Sequence, residues 1–444
     1  MTVRTFTAPI AVLMVFAALL ATMYLGYAGN TEKNLHDFPV ALVNQDVGDT
    51  LDGKPANVGG QVADALAAGI PEEKIDLRVV GIAEARKQLQ QGEVYGAIVI
   101  PSDFTKRLTI LGASAVIPGQ IERPVITVHT NPRIGPYTTG IMQRIADRAL
   151  DQVDRTVGKN LTDQVDSALA AGPGAPVELS GAARLMLADP VQIVTAPYRP
   201  MDDGAGQGLV AFFYTLILLL AGFTGAMIIH TLIDSVLGFT PTEYGPWFVH
   251  PPATGISRFR TLLVKWAVIG TAAPILSGIF LAVAAALSVP LGSPLLLWLF
   301  GTLAIVAVGV TALAVLATLG TAGLLVNLIL FVVLGLPSSA ATVPLEATPP
   351  YVAHLAAFEP MHQIYLAVRA ILFFDARAAA GFGQGLWMTL LGLGIGLLLG
   401  ATATFAYDRR GLHRATPSDS WVAARPRKST ATSSAAATAS ARSA

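Results

Sequence analysis

The sequence predicts a polytopic α-helical membrane protein of six spans, with an α/β extracytoplasmic domain between the first span and the second. Three observations predict it. From Trp266 to Leu345 the chain runs for 80 residues without an Asp, Glu, Lys or Arg. A helical span of the bilayer core takes about 20 mostly apolar residues, so this run holds roughly three spans joined by tight turns. The composition agrees: 53% hydrophobic and 13% charged, with a mean hydropathy of +0.58, where soluble domains average about 25% charged. Residues 29–206 differ from the rest, with 16 Lys/Arg against 22 Asp/Glu, a balance of −6. That is the make-up of a domain in water.

The elements follow in order. Arg4 precedes an uncharged run ending near Ala28. A cleavable signal peptide carries an apolar region of about 7–15 residues, shorter than this one, so residues 1–29 are expected as a retained N-terminal span. In the extracytoplasmic domain, residues 30–206, the stretches 38–43, 77–80, 94–100 and 125–130 read as strands, and 82–91 and 136–170 as helices. Alternating strands and helices predict a small α/β layer. Residues 207–407 form a five-span bundle, with spans at 209–229, 265–289, 295–318, 321–337 and 386–407. A cytoplasmic loop, 231–263, follows the second span, and an outer amphipathic segment, 338–383, precedes the last. From Asp408 onward there are seven Arg/Lys and two acids. Ser, Thr and Ala dominate the end, so 408–444 is expected as a basic, disordered cytoplasmic tail. Short cytoplasmic loops carry the excess of Lys and Arg. Both termini are therefore expected on the cytoplasmic side of the cell membrane and residues 30–206 outside.

The chemistry available is sparse. With no cysteine in the chain, disulfides, thiolate catalysis and Cys-based metal sites are excluded. Gly158-Lys159-Asn160 lacks the upstream Gly and the Ser/Thr of a phosphate-binding loop. Neither a nucleophile elbow nor a His-Glu-x-x-His pattern occurs. The sequence thus predicts no enzyme, no cofactor and no metal site, and the net charge of +0 points away from nucleic acid. Gly392, Gly396 and Gly400 recur every four residues in the last span. Such small-residue spacing lets helices approach closely, either within the bundle or across a dimer seam. Asp234 and Lys265 lie at span ends, where charge is expected to snorkel to the interface. Glu359 and Arg369 sit in the outer amphipathic stretch 358–374, readable as an interfacial helix or as a lid over a cavity.

One span, a large outer domain and five further spans resemble the membrane subunit of type 2 ABC exporters. Phe38-Pro39-Val40-Ala41-Leu42-Val43-Asn44-Gln45-Asp46-Val47-Gly48 is similar to the opening of the YhgE/Pip (phage infection protein) family within that superfamily. Gly92-Glu93-Val94-Tyr95-Gly96-Ala97-Ile98-Val99-Ile100-Pro101-Ser102-Asp103-Phe104 resembles its second hallmark, a strand ending in Ile-Pro-x-x-Phe. The stretch from Pro349-Pro350-Tyr351 to Pro360, with Arg369-Ala370-Ile371, looks like the outer segment before the last span of these permeases. The resemblance implies a permease-like subunit in the lipid bilayer, a homodimer or a pair with a similar chain. It would export lipid-like, amphiphilic or drug substrates with energy from a separate ATPase. Glu243, Arg258 and Arg260 of the loop after the second span would face that ATP-binding subunit. The competing expectation is a non-transporting envelope scaffold or receptor, a secretion component or phage receptor acting through residues 30–206.

Overall fold

The computed structural model describes residues 4–51, 54–114, 122–171, 179–412 and 414. The tail expected to be disordered lies, from residue 415 on, outside the described residues. Helix α1 (Arg4–Gly29) leads into strand β1 (Phe38–Asn44), a short hairpin β2 (Asp49–Leu51) and β3 (Lys54–Ala56), and helix α2 (Val58–Gly69). Then come β4 (Ile75–Val79), α3 (Ile82–Gln91), β5 (Gly96–Ile100), α4 (Phe104–Ser114), β6 (Val125–Thr130), the long α5 (Pro136–Ala171), α6 (Gly181–Ala188) and β7 (Gln192–Pro197). β1 is apolar at all but its last position, which suits a strand covered on both faces. It sits inside a five-stranded sheet of order β4-β1-β5-β6-β7. Val40 lies opposite Leu77 on one side and Gly96 on the other, both pairings parallel. β5 and β6 run antiparallel. Phe38, Val40, Leu42, Ile98, Ile126 and Val128 pack under α2, α4 and α5, while Ala41, Val43 and Val99 meet Ala85 and Leu89 of α3 on the other face.

The second half is helical: α7 (Leu209–Val236), a hairpin of β8 (Thr242–Tyr244) and β9 (Trp247–Val249), α8 (Arg258–Ala286) and α9 (Pro294–Leu319). It continues through α10 (Ala322–Leu328), a π turn over Ile329–Val333, α11 (Gly335–Ser338), α12 (Pro350–Ala356), α13 (Pro360–Phe373) and α14 (Phe382–Arg409). Among the described residues five helices, α1, α7, α8, α9 and α14, are long and apolar enough to cross a membrane. The stretch read as a fifth span, 321–337, is instead the short apolar unit Ala322–Ser338, broken by the π turn. At 1.5 Å per residue it reaches about 25 Å, against a hydrocarbon core of about 30 Å.

α9 is apolar all round and 72% of its apolar stretch is buried, where α1 has only 6%, so α9 is the hub and α1 the periphery. Glycines set the closest approaches. A side chain on Gly222 of α7 would meet Val308 and the Ile305 carbonyl of α9, and one on Gly309 would meet Ile269 of α8.

The two halves interlock. Ile134, at the foot of the sheet domain, belongs to the apolar core of the bundle, while Val343 and Ala347, which follow α11, belong to the core of the sheet domain. The starts of α7 and α9 and the ends of α8 and α13 all lie at this domain end: a side chain on Gly208 would meet Pro132, one on Gly204 would meet Ser288, and one on Gly292 would meet Ile371. α8 begins and α14 ends at the opposite end, where both backbone amides of Arg258 and Phe259 donate to Asp408, at 2.9 and 3.0 Å.

Candidate functional site

Among the described residues, three gatherings of polar side chains stand out by their hydrogen bonds and ion pairs. The first is the turn after β1. Asp46 there is buried, and its carboxylate accepts from the Gly59 amide at 3.0 Å, the Thr105 amide at 3.1 Å and the Thr105 hydroxyl. Gly59 and Thr105 open α2 and α4, so one carboxylate answers the orphan amides and positive poles of two helices. The Val47 amide also donates to the Ser102 carbonyl at 3.2 Å. The two hallmark segments are thus neighbours, β1 paired with β5 and their following turns stitched together.

The second place is the junction of sheet domain and bundle. The Tyr95 hydroxyl, at the start of β5, is 2.9 Å from each oxygen of Glu346, and the His36 amide donates to the Glu346 carbonyl at 2.8 Å. The Tyr365 hydroxyl of α13 donates to the Ile134 carbonyl at 3.2 Å. Arg369 lies over the rings of Tyr365 and Phe374, 5.6 and 5.7 Å from their centroids. Burial holds the Glu346 carboxyl above the usual carboxylate range, although Tyr95, His36 and Arg369 all favour its charge. Burial, and then Glu346 itself, pushes the Tyr95 phenol well up.

The sign follows from linkage. A carboxyl with a raised folded pKa holds its proton more tightly in the native state, so its contribution is complete below the unfolded value of about 4.3 and is lost as pH rises through the folded value. In thermal unfolding of the full chain across that window, the wild-type midpoint should fall with rising pH more steeply than that of Glu346→Gln. Parallel profiles would remove Glu346 from the account.

The third place is the opposite end. Asp234, in the last turn of α7, lies 2.6 Å from Lys265 of α8 and 2.8 Å from Arg414, beyond α14. His230, one turn back, is 3.4 Å from the same carboxylate and 3.0 Å from the Lys265 amine. Arg414 also covers the Phe239 ring at 4.5 Å. The snorkelling expected of Asp234 and Lys265 does not occur: their side chains are 3% and 4% exposed. Two isolated charges of opposite sign at facing ends of consecutive apolar helices were the available signal, since such residues pair with one another.

The remaining residues singled out by sequence fall as follows. Glu243 is exposed on β8 opposite Phe248, and Arg260 is exposed in the first turn of α8. Arg258 is half-buried; it donates to the Leu412 carbonyl at 2.7 Å and lies 5.5 Å over the Tyr407 ring, so it serves the bundle end rather than a free surface. Beside Glu243, Trp247 and Phe248 stand out at 73% and 64% exposed, and the sequence reading passed over both.

Helix α13 is enclosed rather than interfacial: Ile364, Tyr365, Val368, Ile371 and Leu372 are buried, and so are its polar members His362 and Gln363. Glu359 is buried at its start, capping the helix by accepting from the His362 amide at 3.0 Å, with Pro360 in the first turn. Gly396 and Gly400 face α8 and α9 of the same chain, against Thr311 and against Trp266, Leu262 and Ala314, whereas a side chain on Gly392 would meet nothing. Gly396→Leu drives a branched side chain into the Thr311 backbone, and should lower stability by about 1–3 kcal/mol in thermal unfolding. Gly392→Leu should leave the midpoint nearly unchanged.

Comparison with known proteins adds the following. No curated protein matches the chain. Among solved structures, a domain of a proposed ABC type-2 transporter from Thermotoga maritima MSB8 aligns at 18% identity over 40% of this chain and 99% of that one. The TM-score of that alignment is 0.22. Residues 10–387, from within α1 to the first turns of α14, match the family described as "Protein of unknown function (DUF3533)", and the chain belongs to that family.

Proposed function

We propose that this chain is a membrane-spanning, permease-like subunit of an ABC-type exporter, moving lipid-like, amphiphilic or drug molecules and powered by a separate ATP-binding subunit. The observation that carries the reading is its two-ended build. The sheet domain is clamped to one end of the bundle through Val343, Ala347 and Ile134, and an exposed hairpin with Glu243, Trp247 and Phe248 stands at the other. Helices α7, α8 and α9 run from one end to the other, α8 with Pro274 inside it, and in this reading they carry a push on the hairpin to the domain. The resemblance of Phe38–Gly48 and Gly92–Phe104 to the YhgE/Pip hallmarks supports the same assignment.

In this reading Ala322–Ser338 completes a sixth crossing, both termini and the hairpin lie in the cytoplasm, and residues 30–206 lie outside. Two copies, or one copy and a similar permease, enclose the path. Export from cells carrying a hydrolysis-dead ATP-binding subunit should stop, and normal export there would sink the proposal. Trp247→Ser with Phe248→Ser should reduce co-purification of that subunit at least about tenfold, the scale of losing two aromatic anchors from an interface.

A second reading, an envelope scaffold or receptor, is favoured by a groove of about 400 Å³ on the sheet domain. Leu66, Val153 and Leu161 form its floor, and Gln61, Gln152 and Asn160 line its rim. Under that reading, export is unaffected by the ATP-binding subunit, while Val153→Glu abolishes partner binding.

A further inference from the structure

A second cavity, of about 200 Å³, opens at the seam between sheet domain and bundle. Four charged residues from separate segments line it: Arg133 between β6 and α5, Arg199 after β7, Asp202 ahead of α7, and Asp375 after α13. Leu372 and Phe373 form an apolar wall. Such a gathering of opposite charges ordinarily collapses into ion pairs. Here it does not. Among the described residues neither guanidinium is ion-paired: Arg133 donates to the Phe373 carbonyl at 2.8 Å, Arg199 makes no hydrogen bond, and Asp375 turns to Arg377 at 3.6 Å. Burial, and then Arg199 beside it, lowers the Arg133 pKa, a shift that Asp375 and Asp202 offset only in part. An anion between the two guanidinium groups would relieve their repulsion.

The backbone around the cavity is unusual as well. Asp375 and Ala376 hold φ of 54° and 55°, and Gln207 and Ser288, each two residues from a lining position, hold 52° and 58°. Side-chain-bearing residues seldom adopt this left-handed conformation, and it gathers at ligand sites. The depth is informative too. Ala205 precedes α7, Pro290 and Gly292 join α8 to α9, and Phe373 ends α13. The cavity therefore lies level with the ends of the apolar helices, the level of lipid headgroups in the proposed topology.

We propose that this cavity binds a zwitterionic phospholipid headgroup, the phosphate between Arg133 and Arg199 and the ammonium towards Asp202 and Asp375, with the glycerol end against Leu372 and Phe373. Guanidinium groups suit phosphate oxygens through paired N–H donors, and carboxylates suit an ammonium. The inference does not depend on transport, since a resident lipid would occupy the site equally.

Native mass spectrometry of the full-length protein in detergent tests it with three probes: phosphatidylethanolamine, phosphatidylglycerol and soluble phosphoethanolamine. The wild type should retain phosphatidylethanolamine several-fold over phosphatidylglycerol, and equimolar phosphoethanolamine should not displace the lipid. Arg199→Gln, which removes no hydrogen bond or ion pair among the described residues, should reduce that retention about tenfold, the loss of one charge-assisted phosphate contact. Asp202→Asn should erase the preference for the ethanolamine lipid while leaving phosphatidylglycerol retention intact. Equal retention of both lipids by the wild type, or undiminished retention by Arg199→Gln, overturns the proposal. Displacement by equimolar phosphoethanolamine overturns the lipid as occupant.

Discussion

Asp234→Ala should destabilise the protein by about 3–5 kcal/mol, because it strands two cations, Lys265 and Arg414, on a carboxylate site that is almost fully enclosed. The expected size comes from the asymmetry of buried ion pairs. Forming one returns little net energy, but removing one partner leaves a desolvated charge with nothing to offset it. The same logic predicts rescue. Asp234→Leu combined with Lys265→Met replaces the pair by apolar groups of similar volume, and should recover most of the loss, with Arg414 released to solvent. A thermal or denaturant series on the three proteins in detergent measures the cycle. If the single substitution costs under about 1 kcal/mol, the pair behaves as a solvent-screened surface bridge and the buried cluster is refuted.

Asp46→Ala should be comparably severe in the sheet domain. It removes the acceptor for two amides and a hydroxyl, those of Gly59 and Thr105, and each hydrogen bond to a charged group contributes about 1.5–3 kcal/mol. With partial solvation of the exposed amides, the net loss should be about 3–5 kcal/mol. Hydrogen exchange should locate it, with protection falling first in the opening turns of α2 and α4. Asp46→Asn keeps an acceptor oxygen but not the charge that opposes both helix dipoles, so it should cost less than the alanine variant. Equal exchange in wild type and Asp46→Ala would mean that the two helix starts are held by something else.

What the sequence makes legible is governed by where the stabilising partner lies. β1, β5 and β6 can be read because buried strands need apolar runs or strict alternation, and helix 82–91 has the same bounds in sequence and structure because its periodicity is local. Helix α2 eludes such reading. Val58-Gly59-Gly60 is a poor helix opening, made good by Asn57, whose side chain accepts from Gly60, and by the Asp46 carboxylate. β7 is a mostly exposed edge strand held by β6 alone, so no apolar pattern marks it. α13 and the Asp234 cluster expose the same limit among candidate sites. Polar residues in an apolar helix read as facing water, yet the His362 ring is 3.1 Å from the Ser339 carbonyl and Gln363 donates to Ala356 at 3.0 Å. Sequence gives a polar group; only the fold gives its partner.

The proposed function places the two ends of the bundle on opposite sides of a membrane, and the absence of native cysteine makes that directly measurable. Single cysteines at Gln164 and Ala379, exposed at the domain end, and at Glu243 and Leu412, exposed at the other, can be labelled in intact cells with a membrane-impermeant maleimide. Gln164→Cys and Ala379→Cys should react from outside, and Glu243→Cys and Leu412→Cys only after the membrane is opened. Reaction of all four from the same side, or of Ala379→Cys from the side opposite to Gln164→Cys, would contradict the two-ended bundle and the exporter reading built on it.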